Sequence, residues 1–224
     1  MYEYEGIKIH WLGHDAFWIE AKGKNIYIDP YKIAKTDLPP ADIIITTHEH
    51  FDHCSVEDIE KLTTENTFIL GPTICYETLT NKVYNKKVVL ELHPDGEVVE
   101  VEGIKFSAIP AYNTHRFRAP GQPFHPKESK HIGPIIDIDG IKIYHAGDTD
   151  KIPEMDDLQP DIALIPVSGT YVMDVDEAVE AARAIKAKVT IPMHVGRGIG
   201  KLEYREQFKE KLPDMNVVIL ELEE

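Results

Sequence analysis

Between Thr46 and Ser55 the chain reads TTHEHFDHCS, which crowds His48, His50, Asp52 and His53 into one short stretch. Imidazoles that protonate together repel, so such crowding calls for something that holds them together. Zinc and similar divalent ions bind imidazole nitrogens and carboxylate oxygens. His48 and His50 are two residues apart, so extended backbone points both to one side; Asp52 and His53 follow where the chain must turn. Asp148 closes the apolar run IYHAGD and His194 closes TIPMH. Polar residues just past buried strands sit where open α/β sheets collect ligands. These residues together suffice for two metal ions. A bound ion lowers the pKa of its water to about 7, and Asp52 is the residue expected to orient that water and take its proton. The alternative for the cluster alone is a solvated loop with pH-sensitive histidines.

Short apolar runs separated by turn signals must position these groups. IKIHWLG (7–13), AFWIEA (16–21) and NIYIDP (25–30) read as consecutive strands, and ADIIITTH (41–48) as a strand buried on both faces. Ser55 with Asp58 caps a helix that continues through VEDIEKL, so the cluster lies on a loop from a buried strand into a helix. TFILG (67–71), a helix over 72–79 and KVVLEL (87–92) follow. Hairpins are expected around Glu102–Gly103 and Asp139–Gly140. DIALIPV (161–167), a helix over 174–187 capped by Asp174 and Glu177, KVTIPMH (188–194), a helix near 202–212 and a strand NVVILEL (216–222) close the chain. The two halves echo each other, which suggests two sheets face to face with helices outside, in one domain spanning residues 1–224.

Composition narrows the function. The net charge of −15 repels a phosphate backbone, so no nucleic-acid partner is expected. No apolar run reaches the roughly 20 residues of a membrane span, and the acidic start MYEYEGIKIH lacks the form of a signal peptide. A cytoplasmic protein acting on a small molecule is expected, with a homo-oligomer open. Cys54 and Cys75 read as reduced, buried thiols, with Cys54 adjoining the cluster.

HEHFDH (48–53), GDTD (147–150) and PMH (192–194) resemble the metallo-β-lactamase-fold hydrolases, in the order that superfamily uses. WLGHDAFWIE and YHAGDTDKIPEM are similar to its small stand-alone members, which include sugar-acid-phosphate lactonases. The resemblance implies a four-layer αβ/βα sandwich. It also implies two ions divided among His48, His50, His194, Asp52 and His53, with Asp148 bridging. Zinc is expected, with manganese, nickel or iron as alternatives. Where the superfamily has a further histidine ligand, this chain has Asn113, here expected to meet substrate. His115, His125 and His131 could replace that ligand, and proline-flanked His125 is preferred.

Residues 114–131 carry Arg116, Arg118, Lys127 and Lys130 against one acid, Glu128. In so acidic a chain this island suggests a clamp of Arg116 and Arg118 on a small anionic ester, lactone or phosphoester. His14 and Asp29, both at strand ends, are expected behind the ligands, with a structural role or substrate contact open for His14. Ser168 reads as turn or pocket lining, since no nucleophile-elbow pattern surrounds it. The competing functions are a nuclease of the same fold, di-iron redox chemistry and a non-catalytic metal-binding protein. A nuclease would need a basic face, and a di-iron site usually places a carboxylate where His50 stands.

Overall fold

The computed structural model describes residues 1–223. Strands β1 (Tyr2–Tyr4), β2 (Ile7–Gly13), β3 (Ala16–Ala21), β4 (Lys24–Ile28), β5 (Ile43–Ile45), β6 (Phe68–Gly71) and β7 (Val88–Glu91) form a seven-stranded sheet in sequence order. Pairing is antiparallel from β1 to β4 and parallel from β4 to β7. The second sheet uses β8 (Val99–Val101), β9 (Ile104–Pro110), β12 (Ile132–Ile138), β13 (Ile141–His145), β14 (Ile162–Pro166) and β15 (Val189–Met193). Its order is β15-β14-β13-β12-β9-β8, again antiparallel first and parallel after β13. A small hairpin, β10 (Phe117–Ala119) with β11 (Gln122–Pro123), stands apart in the basic segment.

Successive side chains of a strand face opposite ways, and the first sheet uses both faces. Phe17, Ile19, Ile26, Ile28, Ile43, Ile45 and Leu70 point inward to join Phe106, Ile136, Ile143, Leu164 and Ile191 of the second sheet. Ala16, Tyr27, Ile44 and Ile69 point outward to Ile59 and Leu62 of α1 (Val56–Leu62) and Cys75 and Leu79 of α2 (Thr73–Lys82). Each isoleucine fully buried this way contributes about 1.5–3 kcal/mol. On the other side α3 (Val175–Ile185) packs on β14 and α4 (Glu203–Glu210) on β15. The layers are therefore helix, sheet, sheet, helix, as expected of an αβ/βα sandwich. Ser55 caps α1 and Asp174 caps α3 through their side chains.

Three features differ from the expectations. β1 and the β10–β11 hairpin were not foreseen, because three-residue and two-residue strands carry no period to read. Segment 216–222 is no continuous strand: Val217 bridges Thr190 of one sheet and Leu222 bridges Trp11 of the other. The segment straps the two sheets together, so neither ladder can run along it. Both cysteines are free and buried in the outer layer under α1 and α2. No helix among the described residues is long and apolar enough to cross a membrane.

Candidate metal centre

The parallel strands end at one rim between the sheets, and the loops leaving those ends carry the site. Asp29 follows β4, the histidine loop follows β5, Asp148 follows β13 and His194 follows β15. The tip between β2 and β3 brings His14 to the same place: its N–H donates to Val195 and its carbonyl accepts from His194 N–H. Sharp exits are needed at these ends. His14, Asp29 and His194 all take positive φ, 54°, 43° and 60°, a region costly for residues with a Cβ and concentrated at functional sites. Gly147, at φ +64°, precedes Asp148 because a Cβ there would lie 2.9 Å from the Ile132 carbonyl.

Around this rim the imidazoles of His48, His53, His125 and His194 each have one nitrogen committed to the chain. Asp29 accepts from Thr47 N–H at 2.8 Å, Thr47 Oγ1–H at 2.6 Å and His53 Nδ1–H at 2.7 Å. With its proton given to Asp29, Thr47 Oγ1 accepts from His48 Nδ1–H at 3.0 Å. Ser168 Oγ accepts from His194 Nδ1–H at 2.7 Å. Asn113 Oδ1, which can only accept, takes both the backbone N–H and the ring Nδ1–H of His125, at 2.8 and 2.9 Å. These bonds fix the tautomers and turn each Nε2 lone pair inward.

The inward atoms converge on one carboxylate. His53 Nε2 and His194 Nε2 each lie 3.3 Å from Asp148 Oδ1, and His125 Nε2 lies 3.3 Å from Oδ2. All three nitrogens, and Oδ1 itself, are buried without a hydrogen-bond partner. Zinc bonds near 2.0 Å at tetrahedral angles place two ligands of one ion about 3.3 Å apart. The spacing and the orphaned atoms therefore fit divalent cations on either side of Asp148. His48 Nε2 and His50 Nδ1 face each other at 3.0 Å and share a cluster with His125.

Burial and close approach set the charges of these groups against one another. Burial and neighbouring His53 push His48 well below the ordinary histidine value. Burial likewise carries His125 down to about 4. His53 goes the other way: burial opposes its charge, but Asp148 and Asp29 hold it well above the usual value. Burial would raise Asp148, yet His194 and His53 keep it well below the usual carboxylate range. Asp52, whose burial is outweighed by the hydrogen bond from His14, falls to about 2. His14 rises to about 9 despite burial, through Asp15 and Asp52.

A cavity of about 370 Å³ opens over the cage. His50, Asp52, His125 and Asp148 line its floor, and Phe51, Arg118, Phe124 and Tyr171 its rim. His14 Nε2 donates to Asp52 Oδ2 at 3.1 Å from behind. Of the histidines weighed as the replacement ligand, His125 offers a ligand atom within 4.8 Å of those of His48 and His50, while the His131 ring also packs beside His48 with centroids 4.9 Å apart. His131 Nε2 turns to Glu49 at 2.9 Å, and His115 is surface-exposed near Asp150 and Glu177.

Two expected substrate contacts are not placed at the cavity. Asn113 is buried and its amide is used up: Oδ1 holds His125 while Nδ2 donates to Asp150 Oδ1 and the Tyr171 carbonyl. Its Oδ1 holds the His125 ring from behind. Arg116 is drawn into carboxylates, bonding Asp150 Oδ1 at 2.6 Å, Glu177, and Asp174 Oδ2 at 3.4 Å. Its charge is neutralised there, whereas Arg118 lines the cavity and donates to the Phe124 carbonyl at 3.1 Å. Lys127 is likewise paired, with Glu154.

Sequence reasoning also missed Thr47, which relays between Asp29 and His48, and Asp15, buried beside His14. For Thr47 no signal was available, because a threonine inside an apolar run has no distinctive spacing. For Asp15 the signal was its place next to a strand-tip histidine.

Comparison with known proteins agrees with this architecture. Residues 8–194 match the family described as a beta-lactamase superfamily domain. A protein described as a UPF0173 metal-dependent hydrolase, from Thermoplasma acidophilum, is 37% identical over 204 residues, covering 85% of this chain and 84% of its own. Another so described, from Methanoculleus marisnigri, is 31% identical over 222 residues, covering 96% and 93%. A crystal structure from Parabacteroides distasonis matches with a TM-score of 0.79 at 33% identity, covering 97% of this chain and 94% of that one. The chain belongs to the metallo-β-lactamase superfamily, among the UPF0173 metal-dependent hydrolases. None of these relatives is described as a lactonase.

Proposed function

We propose that this chain hydrolyses a small anionic ester, lactone or phosphoester with two divalent cations, zinc being the expected metal. The observation that carries the reading is the convergence of three unpartnered imidazole nitrogens on Asp148, each at 3.3 Å. His48, His50 and His125 would hold one cation and His53 and His194 the other, with Asp148 between them. Cations there supply Lewis acidity, lowering the pKa of water toward about 7 and polarising a carbonyl or phosphoryl group.

The chain's own residues do the rest. Asp52 lines the cavity as a carboxylate held ionised by His14, positioned to accept the proton of the attacking water. Asp29, Thr47, Ser168 and Asn113 keep the imidazoles aimed, so no reorientation is needed at the moment of reaction. Arg118 at the rim supplies a cation for the substrate's negative charge. Phe51, Phe124 and Tyr171 cover its apolar part and exclude water.

A panel of carboxylic esters, lactones, thioesters, phosphomonoesters and phosphodiesters tests this. The chelated protein should be inert and should regain turnover of at least one class on adding zinc, manganese or nickel. A metal-loaded, folded chain inert toward every class would leave a metal-binding protein without this chemistry. The lactone arm separately tests the likeness to sugar-acid-phosphate lactonases.

A further inference from the structure

The cavity over the cage does not end at its rim. Past Arg118 and Phe124 lies a second recess of about 480 Å³, and His50, Arg118 and Phe124 line both spaces. Glu49, Gln122, Glu128 and Ser129 supply its other polar walls. The groups assigned to the reaction above make no use of this space.

The walls are held in place. The β10–β11 hairpin pairs Phe117 with Pro123 and Ala119 with Gln122, and Arg116 at its base is tied to Asp150. Phe124 packs on Tyr171 with ring centroids 4.6 Å apart. Arg118 donates to the Phe124 carbonyl, and its guanidinium lies 5.7 Å from the centre of that ring. Across the recess, buried His131 anchors Glu49, with Nε2 2.9 Å from Oε2. The groups that face inward are unspent: among the described residues, the side chains of Gln122, Glu128 and Ser129 have no partner in the chain. Arg116 and Lys127 of the same segment, by contrast, are paired with acids.

The lining carries both signs of charge. Glu49 and Glu128 repel an anion, and Arg118 repels a cation. The carboxylates only accept hydrogen bonds, the guanidinium only donates, and the amide and hydroxyl do both. A neutral group that both gives and takes several hydrogen bonds matches this set, and the Phe124 ring covers its C–H surface. We propose that the recess receives the leaving alcohol of an acyclic ester or phosphoester, and that this alcohol carries several hydroxyl groups. The assignment rests on the hydrolytic reading above and narrows it, because a lactone keeps its alcohol tethered to the acyl group and releases nothing into the recess. In the step, water adds to the carbonyl carbon or phosphorus, the bond to the alcohol oxygen breaks, and its electron pair stays on that oxygen. The oxygen takes up the proton that Asp52 removed from the water, so acid and alcohol are the products.

The test uses the full, zinc-loaded chain. Esters of one acid, and phosphodiesters with one constant arm, are offered as glyceryl and as propyl compounds. The glyceryl arm should be favoured in kcat/KM by about 10-fold or more, the worth of one hydrogen bond to a charged group. Glu128→Ala combined with Gln122→Ala, checked for native circular dichroism, should erase most of that ratio. A second readout needs no turnover. Ser129→Cys, alkylated with a trifluoromethyl reagent while buried Cys54 and Cys75 stay unlabelled, puts a fluorine probe in the recess. Its resonance should move saturably with glycerol phosphate and stay put with methyl phosphate. Equal rates for the two arms, a ratio that survives the double substitution, or a resonance blind to glycerol phosphate overturns the proposal. A chain that opens lactones and hydrolyses no acyclic ester overturns it too, with the hydrolytic reading intact. A chain that hydrolyses nothing, yet shows the fluorine shift, overturns the hydrolytic reading and leaves the recess as a polyol site.

Discussion

Inside the cage, Asp29, Thr47, Ser168 and Asn113 each hold an imidazole by its outer nitrogen, and the inner nitrogens of His53, His125 and His194 are left bare. At the rim the reverse holds. Arg116 and Lys127 are taken up by Asp150, Asp174, Glu177 and Glu154, and Arg118 is held mainly by one backbone carbonyl. The cage spends its polar groups on aiming ligands. The rim spends most of its cations on fastening a loop and keeps one at the cavity. Catalytic power should therefore be sensitive to small changes behind the cage, while substrate preference should hang on very few rim residues.

The largest expected effect comes from the cage as a whole. Removing the metal should abolish turnover and lower the melting temperature. An ion present at 100 times its Kd contributes about 2.7 kcal/mol, equivalent to roughly 5–11 °C in a domain of this size; calorimetry with and without chelator reads it. Next, Asp52→Ala should cut kcat by about 10²–10⁴-fold, the usual worth of a general base, while metal content by elemental analysis falls little. A fully active Asp52→Ala would remove its assigned role.

Changes behind the ligands come third. Ser168→Ala and Asn113→Ala should each weaken metal binding by about 10–100-fold, measured by chelator competition. The Asn113 result is the sharper one, because a substrate contact would instead raise KM with metal affinity intact. At the rim, Arg118→Ala should raise KM for anionic substrates by about 10-fold, the loss of one charge-assisted hydrogen bond, with kcat kept. Arg116→Ala should leave KM alone and lower stability by roughly 1–3 kcal/mol, read by urea denaturation. If Arg116→Ala moves KM and Arg118→Ala does not, the contrast between the two arginines is inverted.

How far the sequence carried these contrasts follows the same division. The cage was legible where its residues are neighbours, as in the run from His48 to His53, or where they end apolar runs, as Asp148 and His194 do. Strand period and caps likewise exposed the layers of the sandwich. The rim was not legible, because Arg116 finds Asp150 and Glu177 34 and 61 residues away, and no local pattern announces an ion pair over that span. The partner of Asn113 was not legible, since an amide looks the same whether it faces a cavity or the back of an imidazole. Segment 216–222 failed for a related reason: its apolar pattern shows that it is buried, and its division between two sheets is a tertiary matter.

Anomalous X-ray diffraction from crystals grown with zinc examines the convergence of strand ends on Asp148 most directly. Two anomalous peaks flanking the Asp148 carboxylate, one toward His48, His50 and His125 and one toward His53 and His194, are predicted. Crystals that bind zinc only at surface groups such as His115, with nothing beside Asp148, would contradict the account.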